Sequence, residues 1–486
     1  MKKIVIVILT LCTLKAWSQQ ETINVKNQIV ISGKIGDSVV AKYFTKEPPF
    51  ITFYNHYNEE DNSTSKIIPL TLHNGRFSIK LKPENDVAYF GLGKGLLRSV
   101  THNVFLIQRG DSIFMEVKNP ENVSFSGNGA EKLTYQHWAG KVLWADMKNW
   151  GVNDSWPEMM TYYKNRTIRL LAITLDSLNK DKLFPHDSIE DLIRLNTASS
   201  ISREYLINIF SYDLFPDTAY YHYLKNEVNF LITQQNGFAV SNPLLLKNSF
   251  MYIDYLFNLN KAIAKIKTRK QMAPFNIVYG NLKSEYDGLL RDEILPYCFL
   301  NMLKDNPIAV NYLAEAVNLV KDSSSREIIQ RARTAKSIGA KAYNFELETL
   351  DRKQIKLNDL KGKIVILETY YAGCVHCREL SEGMESVAQH FKDRKDIVYI
   401  SMEGVGHNFS TFEKSAKSGL YGFNKSIYTW TGGIGEHHPL LLYYQYNAYP
   451  NLLVIGKDGN VISANPEKPL DNQRKRDFIE LIQKNL

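Results

Sequence analysis

The sequence predicts a multidomain chain with an N-terminal antiparallel β domain, a middle, mostly α-helical domain and a C-terminal α/β domain. Three observations carry this. Between Ile29 and about Phe125 apolar and polar residues alternate with period two. From about Glu131 to Lys336 the apolar residues recur at helical spacing. Further on, the short β-branched run Ile364-Val365-Ile366-Leu367 leads into Cys374-Val375-His376-Cys377, and Leu380, Met384, Val387 and Phe391 then mark the core face of a helix. A chain of 486 residues exceeds one ordinary core, since a domain takes about 150 residues. The boundaries read as 1–18 for a signal peptide, 19–128 for the β domain, 129–336 for the helical domain and 337–486 for the α/β domain.

The N-terminus explains where such a chain would work. Met1-Lys2-Lys3 precedes an apolar run from Ile4 to Leu14, and Ala16-Trp17-Ser18 supplies small residues before a cut after Ser18. This is the pattern of a secretory signal, so the expected location is the periplasm or cell envelope. The bulky Leu11 before Cys12 does not suit a lipoprotein signal. The apolar run is too short to span a bilayer comfortably, and no later stretch is long enough, so the mature chain is expected to carry no transmembrane segment. Net charge is +8 and the pI near 8.9, yet the basic residues are interleaved with acidic ones. No basic block with interleaved aromatics is present, which excludes nucleic acid as a partner.

In chain order, Phe77, Ile79 and Leu81 alternate with polar neighbours, as do Ile113, Met115 and Val117. Asn74-Gly75 is a hairpin-turn signal and Gly110-Asp111 opens another strand. The aromatics of the helical stretch, such as Tyr220, Phe250 and Tyr252, read as core. Asp322 caps a last helix through Arg333. Ile397 to Met402 is a further strand, and Ser410 to Glu413 reads as a capping box for a short helix that Gly419 ends. Asp471 begins the closing helix, with Phe478, Ile479 and Ile482 on its core face.

Removal of the signal leaves Cys298, Cys374 and Cys377, too few for a disulfide scaffold in an exported chain of this size. Cys298, among apolar neighbours, reads as a small buried hydrophobe. Cys374 and Cys377 lie one helical turn apart at a strand-to-helix junction and can close a disulfide. There the helix N-terminus favours an anion, so the first thiol should ionise readily while the second resolves. Zinc would want four ligands, and there is no second Cys-x-x-Cys. A purely structural bridge stays open. Glu436, His437 and His438 could offer ligands, but adjacent histidines point apart, and Pro439 more simply opens a helix that the polar residues cap; no metal is expected. Glu368 is the least expected residue, because a carboxyl ending a strand covered on both faces must be neutralised or partnered; a solvated strand end is its alternative.

The frame Phe345-Glu-Leu-Glu, Leu357-Asn-Asp-Leu-Lys-Gly-Lys363, the strand, the cysteine pair, Tyr449-Pro450 and Lys457-Asp458-Gly459-Asn460 resembles the TlpA/ResA-like thiol-disulfide oxidoreductases of the thioredoxin superfamily. The resemblance covers about the last third of the chain. Turn placement in the β domain is similar to that of the domain that often precedes TlpA-like domains in Bacteroidetes-type exported proteins. The resemblance implies a C-terminal thioredoxin-like fold and a Cys374–Cys377 dithiol/disulfide couple without a cofactor. It further implies a cis peptide at Tyr449-Pro450, Glu368 as general acid/base for Cys377, and His376 as a neighbour that stabilises the Cys374 thiolate. It also implies a reductase direction, protein thiols and disulfides as partners, and an upstream envelope electron donor. Val375 stands where related oxidants carry proline. The rival reading is an envelope binding protein whose β and helical modules hold a ligand. A peroxiredoxin is a third, weakened because no Pro-x-x-x-Thr-x-x-Cys context precedes Cys374.

Overall fold

A computed structural model describes residues 27–44, 48–55, 65–93, 95–145, 155–181, 188–211, 217–235, 243–303, 306–406, 408–423, 425–446 and 448–486. The signal segment 1–18 lies outside these. The architecture is multidomain, with N-terminal sheets, helices in the middle and a C-terminal sheet domain. The chain divides into two compact units, which meet in sequence at Ala273/Pro274.

The first unit opens with β1 (Ile29–Ile35), α1 (Asp37–Tyr43), β2 (Phe50–Tyr54), β3 (Ser65–Pro69), β4 (Arg76–Leu81), β5 (Val87–Leu92), β6 (Phe105–Gln108), β7 (Ser112–Asn119) and β8 (Asn122–Asn128). Two four-stranded sheets form, ordered β4-β1-β7-β8 and β3-β2-β5-β6. The period-two pattern puts Ile29 and Ile31, Phe77 and Leu81, and Ile113, Met115 and Val117 into one core with Ile51, Phe53 and Phe90 of the other sheet. Asn74 and Gly75 both take positive φ, at 52° and 73°, the geometry of the predicted tight turn. Pairing is antiparallel except between β1 and β7, which run parallel. Helices α2 (Ala130–Trp144), α3 (Trp156–Asp181), α4 (Ser188–Phe210), α5 (Thr218–Gln235), α6 (Pro243–Asn248) and α7 (Phe250–Thr268) complete this unit. Tyr220, Phe250 and Tyr252 are buried core residues. Tyr89 of β5 donates to the Asn248 carbonyl and accepts from Asn196 Nδ2, which ties sheet to helices.

The second unit begins with α8 (Phe275–Glu285), α9 (Gly288–Met302), α10 (Leu313–Leu319) and α11 (Ser323–Lys336). Asp322 caps α11 by accepting from the Ser325 N–H. Cys298 is fully buried in α9. There follow β9 (Glu346–Thr349), β10 (Gln354–Lys356), β11 (Ile364–Tyr370), α12 (Val375–His390), β12 (Ile397–Glu403), α13 (Phe409–Lys417), β13 (Ser426–Trp430), α14 (Pro439–Tyr443), β14 (Asn451–Ile455), β15 (Val461–Ser463) and α15 (Asn472–Gln483). They build a seven-stranded sheet, β10-β9-β13-β12-β11-β14-β15. β11 runs parallel to β12 and antiparallel to β14.

Alternation along β11 divides the core in two. Val365 and Leu367 join Leu440, Leu441 and Ala335 of α11 on one face. Ile364 and Ile366 join Leu380, Met384 and Val387 of α12 with Phe478 and Ile482 of α15 on the other. α13 begins earlier than the capping-box reading: Asn408 is its N-cap and Oδ1 accepts from both the backbone N–H and the hydroxyl of Thr411. The Asn408 amide oxygen reaches that N–H without help from Glu413, which instead pairs with Lys417.

Candidate active site

β11 is buried along its whole length, Ile364 to Tyr370, and the chain then turns through Tyr371, Ala372 and Gly373 into α12. Gly373 takes φ 101°, a conformation an L side chain rarely adopts. Cys374 is the N-cap of α12, and its sulfur accepts from the Cys377 N–H at 3.1 Å. Cys374 and Cys377 are joined by a disulfide with Cα atoms 5.3 Å apart. Exposure does not separate the two sulfurs in this form: Cys374 is 4% and Cys377 3% exposed. Position does, because Cys374 stands at the positive end of the helix dipole, which favours its thiolate once reduced.

Aromatic rings enclose the pair. Tyr370 and Tyr421 form one buried cluster with the two cysteines, and Tyr449 packs against it. Tyr421 stacks on Tyr370 at 5.3 Å and 7°, and its hydroxyl oxygen accepts from the Gly373 N–H at 2.6 Å. This bond fixes the turn that delivers Cys374. Tyr371 and Val375 are 38% and 54% exposed, so the rim is open although the sulfurs are covered. Beside them, a groove of about 710 Å³ is lined by residues including Val375, Arg378, Glu379, Leu420 and Tyr428.

The Tyr449-Pro450 peptide is cis. Tyr449 meets Tyr371 edge-on at 5.7 Å. Its hydroxyl is buried with no hydrogen-bond partner among the described residues and lies so close to Gly404 that a β-carbon there would come within 2.3 Å of it. Burial holds the phenol well above its ordinary range. Asn451 anchors the loop: its backbone N–H and Nδ2 both donate to Thr369 Oγ1, at 3.1 and 3.0 Å, and Nδ2 also donates to the Ala448 carbonyl.

Glu368 is 3% exposed. Alternation places it with Ile364, Ile366 and Tyr370 on the α12 face of β11, next along that face to the tyrosine that shares a cluster with the cysteines. The hydroxyl of Ser401, opposite on β12, donates to Glu368 Oε1 at 2.5 Å. Burial pushes the carboxyl up to about 7, and the Ser401 bond pulls the other way.

His376 is turned outward. Its side chain is 79% exposed, and Nδ1 meets Glu379 Oε2 at 3.0 Å, so the nearest carboxylate to the imidazole offsets any charge it would lend Cys374. In the segment 435–438, His438 accepts from the Leu440 N–H through Nδ1 and caps α14, and burial lowers its affinity for a proton. Among the described residues no group of three or more His, Cys, Asp or Glu side chains is placed to hold a metal ion. Tyr421, Ser401, Gly404 and Asn451 escaped the sequence reading, because strand pairing and loop packing rather than local spacing bring them to the site.

A cysteine pair capping the helix after a central strand, facing a cis-proline loop, defines a thioredoxin-like redox fold. Residues 338–464 match the AhpC/TSA family model. The thioredoxin-like protein YneN of Bacillus subtilis is 33% identical over 79 residues, 16% of this chain and 42% of that protein. The thiol-disulfide oxidoreductase ResA of the same organism is 31% identical over 128 residues, 26% of this chain and 66% of that protein. The chain thus spans less than half of the first relative and just under two thirds of the second. Among solved structures, the thioredoxin domain of a thiol-disulfide oxidoreductase from Bacteroides vulgatus is similar with TM-score 0.25 and 19% identity, covering 30% of this chain and 97% of that one. A thiol:disulfide interchange protein from Bacteroides sp. is similar with TM-score 0.26 and 17% identity, covering 31% and 90%. The C-terminal region resembles the TlpA/ResA-like domains of the thioredoxin superfamily.

Proposed function

We propose that this chain is an exported thiol-disulfide oxidoreductase that reduces protein disulfides through the Cys374-Val375-His376-Cys377 couple. The observation that carries the reading is the disulfide at the N-cap of α12, in a cluster against which Tyr449 of the cis Tyr449-Pro450 peptide packs. In the reduced form the Cys374 thiolate attacks one sulfur of a client disulfide; the client bond breaks, its leaving thiolate takes a proton from solvent, and a mixed disulfide forms. Cys377 then gives its proton to Glu368, and its thiolate attacks Cys374 Sγ. The Cys374–client bond breaks, the second client sulfur leaves as a thiolate and is protonated, and Cys374 and Cys377 are left oxidised. Two electrons from an upstream envelope dithiol restore the pair. The groove beside Val375 offers room for a client chain. Among the described residues no helix is long and apolar enough to cross a membrane; the exported location rests on the N-terminal signal pattern.

Trapping tests this reading against the envelope-binding alternative. Cys377→Ser lacks the resolving thiol and should accumulate mixed disulfides with client proteins, whereas Cys374→Ser should accumulate none. Capture by neither variant in envelope extracts would favour the binding reading.

A further inference from the structure

A buried acid that takes a proton from Cys377 must lose it before the next turnover. Glu368 is 3% exposed and Ser401 is fully buried, so bulk water does not serve the carboxyl directly. The contacts supply a path. Ser401 Oγ lies 2.5 Å from Glu368 Oε1 and 2.8 Å from Ser426 Oγ. Ser426, at the start of β13, is half-buried. Polarity thus falls on three oxygens in a row, from a sealed carboxyl to the hydroxyl of a half-buried residue.

The surroundings hold this row in place. The Gly422 backbone lies over Ser401: a β-carbon at 422 would come within 2.8 Å of its oxygen. The loop carrying Gly422 is fastened to α12 by Ser381, which donates to the Gly422 carbonyl at 2.7 Å. It is fastened to β13 by the Ser426 N–H, which donates to the Phe423 carbonyl at 2.8 Å.

We propose that Ser401 and Ser426 are the proton relay between Glu368 and solvent, an inference that rests on the acid-base role proposed for Glu368. A serine hydroxyl has one proton to give and lone pairs to accept, so the row has two polarities. With the carboxylate ionised, Ser426 donates to Ser401 and Ser401 to Glu368. With the carboxyl protonated, Glu368 donates to Ser401, Ser401 to Ser426, and Ser426 to water. Passing from the second to the first moves one proton out; the 2.8 Å contact is placed for Ser401 to donate to Ser426, and the reverse needs the Ser426 side chain to turn. The other titratable groups on this face are Tyr370 on β11, Tyr399 and Glu403 on β12, Tyr428 on β13, and Cys377 and Glu385 on α12. Burial holds Tyr370 and Tyr428 above their ordinary values, and among the described residues the Glu368 carboxyl hydrogen-bonds to Ser401 alone.

The test is repeated-turnover release of thionitrobenzoate from the mixed disulfide on Cys374, with excess dithiol resupplying electrons and the uncatalysed rate subtracted, measured across pH in the full-length protein. Glu368→Gln, Ser401→Ala, Ser401→Thr and Ser426→Ala are compared. Ser401→Ala and Ser426→Ala should each slow release roughly tenfold, short of the ~10²-fold of losing the carboxyl itself. Ser401→Thr, which keeps a hydroxyl, should restore it. Ser401→Ala should also move the Glu368 titration, read by carboxyl NMR, upward by about one pH unit, because the carboxylate loses its donor. Ser426→Ala should leave that midpoint in place. If Glu368→Gln slows release and neither serine variant does, the relay is wrong and the acid-base role stands. If Ser401→Ala shifts the midpoint but Ser426→Ala releases at the wild-type rate, Ser401 is only a hydrogen-bond partner and the relay is again wrong. If Glu368→Gln releases normally, both readings fall together.

Discussion

Replacing Glu368 by glutamine keeps the shape of the side chain and removes its charge. The consequence for stability depends on pH in a way that can be worked out. Moving a carboxyl from its ordinary 4.5 to about 7 corresponds to about 3 kcal/mol of folded-state preference for the neutral form. The folded state binds this proton more tightly than the unfolded chain. Stability therefore falls as pH rises from about 4.5 to about 7, and the full cost is present above that. Glutamine has no proton to lose and can still accept from Ser401. The advantage of Glu368→Gln over the native protein should be close to zero near pH 4.5 and grow to about 3 kcal/mol by about pH 8. Denaturant-dependent amide exchange of residues 364–370, in the oxidised full-length chain, scores the C-terminal unit alone. A difference that does not change with pH would refute the argument and mean that the carboxyl is solvated or paired in a way that leaves it ionised.

Gly404→Ala would place a β-carbon 2.3 Å from the Tyr449 hydroxyl. The ring must move, and the oxidised protein should lose about 1–3 kcal/mol in a thermal melt, with a changed near-ultraviolet dichroism from the Tyr371–Tyr449 contact. His376→Ala should slow the first attack on a model disulfide by less than about threefold, since the exposed imidazole already faces Glu379; a larger loss, by stopped flow, would restore it as a thiolate stabiliser.

Much of the fold was legible because its signals are local. The run Ile364 to Leu367 and the helical spacing after Cys377 define a strand and a helix without reference to the rest of the chain, as do the Asn74-Gly75 turn and the Asp322 and Asp471 caps. Glu368 stood out because a carboxyl in a buried run breaks the pattern. The residues that surround the site could not be read this way. Ser401 reaches Glu368 through β11–β12 pairing, Tyr421 reaches Gly373 from a loop far along the chain, and Gly404 is chosen by the Tyr449 ring. None of these leaves a spacing in the sequence. For His376 the motif gives the position, but the side-chain direction, toward Glu379 rather than Cys374, is a packing outcome. The helices of residues 274–336 have the same amphipathic spacing as those before them. What joins them to the C-terminal unit is tertiary: Ala335 in the sheet core and the Asn465 amide on the Leu303 carbonyl.

The central claim is that Cys374 and Cys377 cycle as a protein-reducing couple. A redox titration of the purified full-length chain tests it most directly, with the thiol state at each potential read by alkylation and peptide mass. The account predicts a reversible two-electron transition of this one pair, with a midpoint near that of thioredoxin, ~−270 mV. A midpoint near ~−120 mV would contradict the reductase direction, and a pair that does not exchange at all would contradict the couple itself.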